Sequence, residues 1–214
     1  FERFAGRVLL PGPLARLNQP ASALLERGGR IIPRIMIVFL ILGVVLSCMH
    51  QSALGSLILV APYKTNALWF TPVMPLLFLL SAIAVGFPMV IFEQLYAAWA
   101  FGRKPPMELL SSLAKWAAIF LAAYGLAKGS DFMIRGAYAH FFPLSLNSVM
   151  LSIEVTAGIL VPLALLARKR VRKSPLLLFI ACCLAIAGVL LNRIDVFLVA
   201  YRPYFMEKAY VPSV

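Results

Sequence analysis

The chain has 214 residues, of which 62% are hydrophobic and only 13% are charged. Its mean hydropathy is +0.92, whereas soluble domains carry about 25% charged residues. A soluble fold of this length has too little interior to bury so much apolar surface, but a bilayer covers such a surface without a protein core. The composition therefore excludes an ordinary soluble enzyme and predicts an integral membrane protein.

The formal net charge is +12, from 20 Lys and Arg residues against 8 Asp and Glu residues. In a soluble protein, a balance this basic would suggest nucleic acid as a partner. Here the basic residues gather between apolar runs, which is the pattern that sets the orientation of a membrane protein. We therefore expect a lipid bilayer, and no nucleic acid, as the partner of this surface.

Five apolar runs follow one another along the chain, and each has the roughly 20 residues that a spanning helix needs. Residues 1–34, before the first run, are polar to mixed and predict a connecting segment. The runs cover residues 35–60, 72–98, 109–134, 146–167 and 176–201. Residues 202–214 are rich in Pro and Tyr and are predicted to form a segment on the outer face. The sequence thus predicts an all-α integral membrane bundle of about five transmembrane helices, part of a longer subunit.

Lys and Arg are unevenly divided between the two ends of this predicted bundle. Residues 1–34 and the loops 99–108 and 168–174 carry 13 of them: Arg3, Arg7, Arg16, Arg27, Arg30, Arg34, Arg103, Lys104, Arg168, Lys169, Arg170, Arg172 and Lys173. The other end carries six: Lys64, Lys128, Arg135, Arg193, Arg202 and Lys208. Because cytoplasmic loops carry the excess of Lys and Arg, the first end is predicted to be cytoplasmic and the second to be the outer end.

Polar side chains inside the apolar runs are the candidates for function, since such groups are costly in a membrane. Most of them fall in the outer half of the bundle: His50, Gln51, Ser52, Asp131, Glu154 and Arg193. Glu93 and Lys115 lie in the inner half, on consecutive antiparallel helices. A quinone head-group needs hydrogen-bond donors and a group that exchanges protons, as carboxylates and His do. The first set is therefore predicted as a quinone or proton site, and the second as a proton path.

Some of these side chains also have a purely structural interpretation. His50 can hydrogen-bond between helices without binding a ligand, and Glu93 can pair with Lys115. Gly55 and Ser56, or Gly86, are predicted to allow close contacts between helices.

The polar residues near the outer end have structural interpretations as well. Lys128 and Asp131, three residues apart, can form a local ion pair. Arg193 and Asp195 can mark the membrane boundary, where long side chains reach toward the headgroups. Glu154 is the exception, because no cation lies within one turn of it on its own helix.

The sequence offers few ligands for a metal or a haem. Cys48, Cys182 and Cys183 lie inside apolar runs without a CxxC spacing, and are predicted to be small buried hydrophobic residues. His50 and His140 are the two histidines of the chain, so a di-haem four-helix site cannot be built from it. A single haem between these two histidines is the alternative, but we expect neither a haem nor a metal in this chain.

Several stretches are similar to one family of membrane subunits. They are Met49–Leu57 (MHQSALGSL), Leu68–Pro72 (LWFTP), Val90–Glu93 (VIFE), Ser148–Glu154 (SVMLSIE) and Leu191–Val196 (LNRIDV). The chain resembles the NrfD or polysulphide-reductase family, and within it the HybB type found with periplasmic [NiFe]-hydrogenases.

The resemblance implies a quinone-reactive subunit of a bacterial inner (cytoplasmic) membrane, using menaquinone or ubiquinone. Its partners would be a periplasmic, ferredoxin-like iron–sulfur subunit and [NiFe]-hydrogenase subunits or another respiratory catalytic subunit. Some members are thought to translocate protons. Because members have about eight to ten helices, the chain is expected to be the second half of a longer subunit. Residues 202–214 would then lead to a missing final helix. The better-defined quinone pocket of the family belongs largely to the first helical bundle.

Two other functions remain open at this stage. A secondary transporter or ion channel would be indicated by paired broken helices in corresponding halves, but only one run is interrupted, at His50. A purely structural anchor for a peripheral enzyme would make the carboxylates within the spans dispensable.

Overall fold

The computed structural model describes residues 18–60, 62–140 and 146–201. Over these ranges the chain is helical and forms no strand. Five helical stretches are long and apolar enough to cross a membrane, and we call them the first to fifth spans: Ile35–Val60, Met74–Ala100, Met107–Ile134, Leu146–Ala167 and Pro175–Val199. The predicted all-α membrane bundle is thus confirmed, and every predicted end lies within two residues of the observed one.

The individual α-helices are α1 Asn18–Val60, α2 Met74–Ala100, α3 Met107–Ile134, α4 Leu146–Val155, α5 Val161–Ala167, α6 Lys169–Lys173 and α7 Pro175–Ile194. Short 3-10 turns cover Pro62–Lys64 and Ala137–His140. Two π-helical segments, Thr156–Leu160 and Asp195–Val199, continue the fourth and fifth spans.

The chain divides into two compact units, residues 1–47 and 48–214. In the first unit α1 begins at Asn18, so residues 18–34 of the predicted connecting segment are already helical. Apolar side chains from Ile35 to Leu46 are exposed along this part of the helix. Residues 1–17 and the predicted terminal segment 202–214 lie outside the described residues. The second unit contains the remaining spans and is the bundle described below.

Glycine and proline residues mark the end of α2 and the starts of α3 and α7. Gly102 follows α2 with a φ of 61°, a conformation that glycine adopts without strain. Pro106 then caps the start of α3. Pro175 is the first residue of α7, where its missing N–H leaves no helical hydrogen bond unmade.

Apolar packing defines the two ends of the bundle. At one end, a buried cluster joins Leu95, Leu110, Val171 and Leu178, so the loops 99–108 and 168–174 lie together. We call this the basic end. At the other end, a cluster around Trp69 joins the second, fourth and fifth spans, and the N–H of Asn66 donates to the carbonyl of Ala200 at 2.9 Å. We call this the Trp69 end.

The fourth and fifth spans approach most closely at two glycines. A Cβ atom placed on Gly188 would lie 2.2 Å from the Cα of Gly158, so only glycine fits at this crossing. Gly158 lies inside the first π-helical segment, where the N–H of Val161 donates to the carbonyl of Thr156, five residues earlier. Pro162 follows and has no N–H to restore the α-helical pattern. The wide turn therefore coincides with the point of closest approach between these spans.

Candidate functional site

Glu154 is the centre of a buried polar network in the half of the bundle toward the Trp69 end. Its side chain is 1% exposed. Oε1 accepts a hydrogen bond from the Asn192 amide at 2.8 Å and forms an ion pair with the Lys128 ammonium. Oε2 accepts a hydrogen bond from the indole Nε1 of Trp69 at 3.1 Å. A buried carboxylate needs both a counter-charge and hydrogen-bond donors, and Glu154 has both.

The glycine crossing brings the partners of this network together. Gly158 lies one helical turn after Glu154, and Gly188 lies one turn before Asn192. Because the two backbones touch at these glycines, the short side chain of Asn192 reaches the carboxylate of Glu154 on the neighbouring span. The charged network thus depends on local packing of the fourth against the fifth span.

Arg193 extends the network toward the second span. Its guanidinium donates to Asn192 Oδ1 at 2.9 Å, to Ser81 Oγ at 2.7 Å and to the Phe78 carbonyl at 3.2 Å. It also lies over the Phe78 ring, 3.6 Å from the ring centre, which is a favourable place for a cation. Among the described residues, no carboxylate lies within ion-pair distance of Arg193. Neutral acceptors and an aromatic face therefore hold this charge.

Asp131 is the centre of a second network, closer to the Trp69 end. Oδ1 accepts a hydrogen bond from Thr71 Oγ1 at 2.7 Å, and Oδ2 accepts one from Arg135 Nε at 2.8 Å. Arg135 also donates to the carbonyls of Ala67 and Phe70. These contacts fasten the end of α3 to the segment before the second span.

The proposed local ion pair between Lys128 and Asp131 is wrong. Lys128 pairs with Glu154 across the bundle, and Asp131 pairs with Arg135 four residues further along its own helix. The long side chain of Lys128 turns inward, where a buried carboxylate requires a cation. The spacing of four residues places Arg135 next to Asp131 on the helix surface.

Asp195, for which the sequence also allowed a place at the membrane boundary, lies in this region. Its side chain is fully buried, and neither oxygen has a hydrogen-bond partner within the described ranges. It begins the second π-helical segment, and such segments are often found at functional sites. The sequence signal was its spacing of three residues from the buried Asn192, which places both on one helix face.

Lys128 lies between a small cavity and a large groove. The cavity has a volume of about 30 Å³ and is bordered by both networks, through Trp69, Thr71, Lys128 and Asp131. It has room for a water molecule or two but not for a ring-shaped ligand. The groove, of about 620 Å³, lies between the third and fourth spans and is mostly apolar. Its size is that of an ordinary small-molecule site.

The other predicted site residues do not join these networks. The side chain of His50 is exposed. The Oε1 atom of Gln51 is buried without a hydrogen-bond partner among the described residues. The carbonyl of Ser52 accepts a hydrogen bond from Ser56 Oγ at 3.1 Å. The three residues therefore stay a prediction, whereas Asp131, Glu154 and Arg193 lie in connected or adjoining networks.

The structural pairing of Glu93 with Lys115 is wrong. Both side chains are exposed, and the ion pairs of the described residues do not include them. They point away from the interior of the bundle, so nothing brings the two charges together. Their role in a proton path stays a prediction.

Neither a metal site nor a disulfide is apparent in the part of the chain that the structure describes. No group of three or more His, Cys, Asp or Glu side chains is arranged there to hold a metal ion. The three cysteines are free, with Cys182 buried and Cys48 and Cys183 half-buried.

Comparison with known proteins gives the family. Residues 13–202 match the family described as Polysulphide reductase, NrfD. The chain belongs to the NrfD family. No solved structure matches it.

Two curated relatives cover most of this NrfD-family chain. The chain is 33% identical over 191 residues, 86% of its length, to the probable Ni/Fe-hydrogenase 2 b-type cytochrome subunit of Escherichia coli K12, and the match covers 48% of that protein. It is 30% identical over 194 residues, 83% of its length, to a protein of Nitratidesulfovibrio vulgaris Hildenborough, of which it covers 50%. The chain thus spans about half the length of the curated relatives that it matches, and the resemblance to the HybB type is confirmed.

Proposed function

We propose that this NrfD-family chain is part of the membrane subunit of a respiratory oxidoreductase complex in a bacterial inner membrane. The subunit would pass electrons between a quinone pool and a peripheral iron–sulfur subunit, and would couple proton movement to the transfer. A hydrogenase is the first candidate for the catalytic partner, because one relative is named a subunit of Ni/Fe-hydrogenase 2.

The observation that carries this proposal is the buried network of Glu154. Placing a charged carboxylate in a membrane span is costly, and such residues mark functional sites by default. A purely structural anchor does not require a buried carboxylate that is bound by Lys128, Asn192 and Trp69 at the same time. The adjoining apolar groove of about 620 Å³, with Lys128 in its wall, adds a surface on which a quinone fits by size and polarity.

The chain's own side chains would then have distinct roles. A quinone supplies reversible two-electron chemistry when bound. Lys128 Nζ, at the wall of the groove, would donate a hydrogen bond to a head-group oxygen. Two-electron reduction of a quinone takes up two protons, and Glu154, in contact with Lys128, would hold and release one of them. The cavity of about 30 Å³ beside Lys128 and Asp131 would connect this proton to the Trp69 end, the predicted outer end.

A haem bound by two histidines of this chain does not fit. The chain has two histidines, and both would have to ligate one iron from opposite sides, at the same depth. His50 lies ten residues before the end of the first span, about 15 Å into it. His140 lies beyond the end of the third span, which runs in the same direction. We therefore propose that this chain does not bind a haem between His50 and His140, although one relative is named a b-type cytochrome subunit.

The test replaces Glu154 with Gln in the full complex and measures quinone-coupled turnover. Gln keeps the shape of the side chain but cannot exchange a proton, so a fall of roughly 100-fold or more is expected. Turnover of the same complex with a soluble dye that bypasses the membrane subunit should stay at the wild-type rate.

Two further variants complete the test. Glu93→Gln examines the proposed proton path through the second span. Glu108→Gln, an exposed carboxylate at the basic end, is the matched control and should leave the rate unchanged. Wild-type quinone turnover in both Glu154→Gln and Glu93→Gln would favour a structural anchor and end the proposal.

A further inference from the structure

A second groove, of about 510 Å³, lies at the basic end between the second and fifth spans. Its walls are apolar and aromatic, and are formed mainly by Leu95, Tyr96, Trp99, Leu176 and Phe179. The rings continue one another along the second span, since the centroids of Tyr96 and Trp99 are 5.9 Å apart. Trp99 is 78% exposed and Leu176 is 66% exposed, so the groove opens on the apolar side surface of the bundle. In a membrane, such a surface contacts lipid chains.

The mouth of this groove is positively charged. Arg103 is one of its lining residues. Six exposed cations stand in the two loops of the basic end: Arg103, Lys104, Arg168, Lys169, Arg170 and Lys173. The same loops contain one carboxylate, Glu108, and the ion pairs of the described residues include none of these cations. Arg103 thus places one cation in the lining of an apolar groove, and the other five cations lie in the two loops that contribute Arg103 or lead to Pro175.

Arg172 adds a buried charge to this end. Its side chain is 9% exposed, and its Nε has no hydrogen-bond acceptor among the described residues. Buried polar groups are normally hydrogen-bonded, so this Nε is available as a donor. Arg172 lies three residues before Pro175, which lines the groove. The loop that contains it therefore borders the place where an anionic head-group would lie.

We propose that this groove binds an anionic phospholipid, with an acyl chain along the aromatic wall and the phosphate among Arg103 and the cations of residues 168–173. Lipid is the occupant that the surroundings supply, because the groove opens on an apolar surface that contacts lipid chains. The charge at the rim then selects an anionic head-group over a zwitterionic one, as basic pockets between transmembrane helices do. This inference does not depend on the proposed redox function.

The experiment measures which lipids stay bound to the full-length protein purified from its native membrane complex. The protein is placed in nanodiscs that contain equal parts of phosphatidylglycerol and phosphatidylcholine, released gently, and examined by native mass spectrometry. The wild type should retain phosphatidylglycerol in preference to phosphatidylcholine. Equal retention of the two lipids would overturn the proposal.

Three variants locate the bound lipid. Arg103→Gln removes one cation from the rim and should lower retention of phosphatidylglycerol about fivefold. Leu176→Trp fills the groove at an exposed position without changing the charge, and should lower retention by a similar factor. Lys64→Gln, which removes a cation at the Trp69 end, is the matched control and should retain lipid as the wild type does.

The variants also separate this proposal from its alternatives. Loss in Arg103→Gln together with wild-type retention in Leu176→Trp would mean that the loops attract lipid charge without using the groove, which contradicts the proposal. Retention of phosphatidylglycerol unchanged in both variants would place the lipid elsewhere. Replacement of the lipid by a bound polypeptide in the intact complex would assign the groove to a protein partner.

Discussion

The two ends of the bundle differ in how far their charged side chains are buried and in whether those side chains form ion pairs. At the Trp69 end, Glu154 is 1% exposed and is bound by an ammonium, an amide and an indole from three other segments. At the basic end, six cations are exposed and form no ion pair among the described residues. Lys128, which is ion-paired, lines both a cavity of about 30 Å³ and a groove of about 620 Å³. Arg103, which is exposed and forms no ion pair with a described residue, lines the groove of about 510 Å³.

The difference follows from where each charge is solvated. A charge inside the bundle loses its water and needs partners from the protein, and Glu154, Lys128 and Asp131 each have specific partners there. A charge at the membrane surface keeps its water and is free to attract mobile anions or lipid headgroups. The first arrangement suits a site that positions protons, and the second suits a surface that binds lipid. Each arrangement predicts a different response when a charge is removed.

Lys128→Met should have the largest effect on stability. It leaves the carboxylate of Glu154 buried without its counter-charge, and breaking a buried pair from one side costs about 3–5 kcal/mol. The measurement is the unfolding temperature of the full-length protein in nanodiscs. The double variant Lys128→Met with Glu154→Gln removes both charges and should recover most of the loss. If the single and double variants are equally destabilised, Glu154 is not the group that Lys128 compensates.

Gly188→Ala should have a smaller but clear effect. The added Cβ would lie 2.2 Å from the Cα of Gly158, and a backbone atom cannot move aside as a side chain can. Overpacking of this kind costs about 1–3 kcal/mol. The fourth and fifth spans would then lie further apart, which should separate Asn192 from Glu154. Quinone-coupled turnover should therefore fall together with the unfolding temperature.

Gly86→Ala is the matched control for that substitution. Nothing lies within 4 Å of a Cβ placed on Gly86, and alanine is favoured over glycine inside a helix by about 0.5–1 kcal/mol. The unfolding temperature of Gly86→Ala should equal or slightly exceed that of the wild type. An unfolding temperature for Gly188→Ala as high as that of Gly86→Ala would contradict the glycine crossing.

The spans could be predicted from the sequence because hydropathy and length are properties of continuous segments. The pairings could not, because they join distant residues. Lys128, the cation that pairs with Glu154, lies 26 positions earlier in the chain, and the indole donor Trp69 lies 85 positions earlier. Spacing along one helix favoured a pair between Lys128 and Asp131, whereas the structure pairs Lys128 with Glu154 on another span.

The glycines show the same limit. Gly55 was predicted to allow a close contact, and a Cβ there would lie 2.8 Å from the Cα of Pro75. Gly86 was predicted in the same way but faces open space. The crossing of Gly158 and Gly188 was missed, because small residues occur throughout membrane helices. Their pairing depends on the relative rotation of two spans, which a linear pattern does not contain.

Lys173→Gln should have the smallest effect, and it completes the comparison between the two ends. Lys173 is exposed at the basic end and forms no ion pair with any described residue, so its removal should change stability by less than about 0.5 kcal/mol. The measurement is again the unfolding temperature in nanodiscs, beside Lys128→Met. Each variant removes one ammonium group from the same chain, so a difference between them comes from the surroundings of the charge. A loss in Lys173→Gln as large as that in Lys128→Met would mean that burial does not distinguish the two ends.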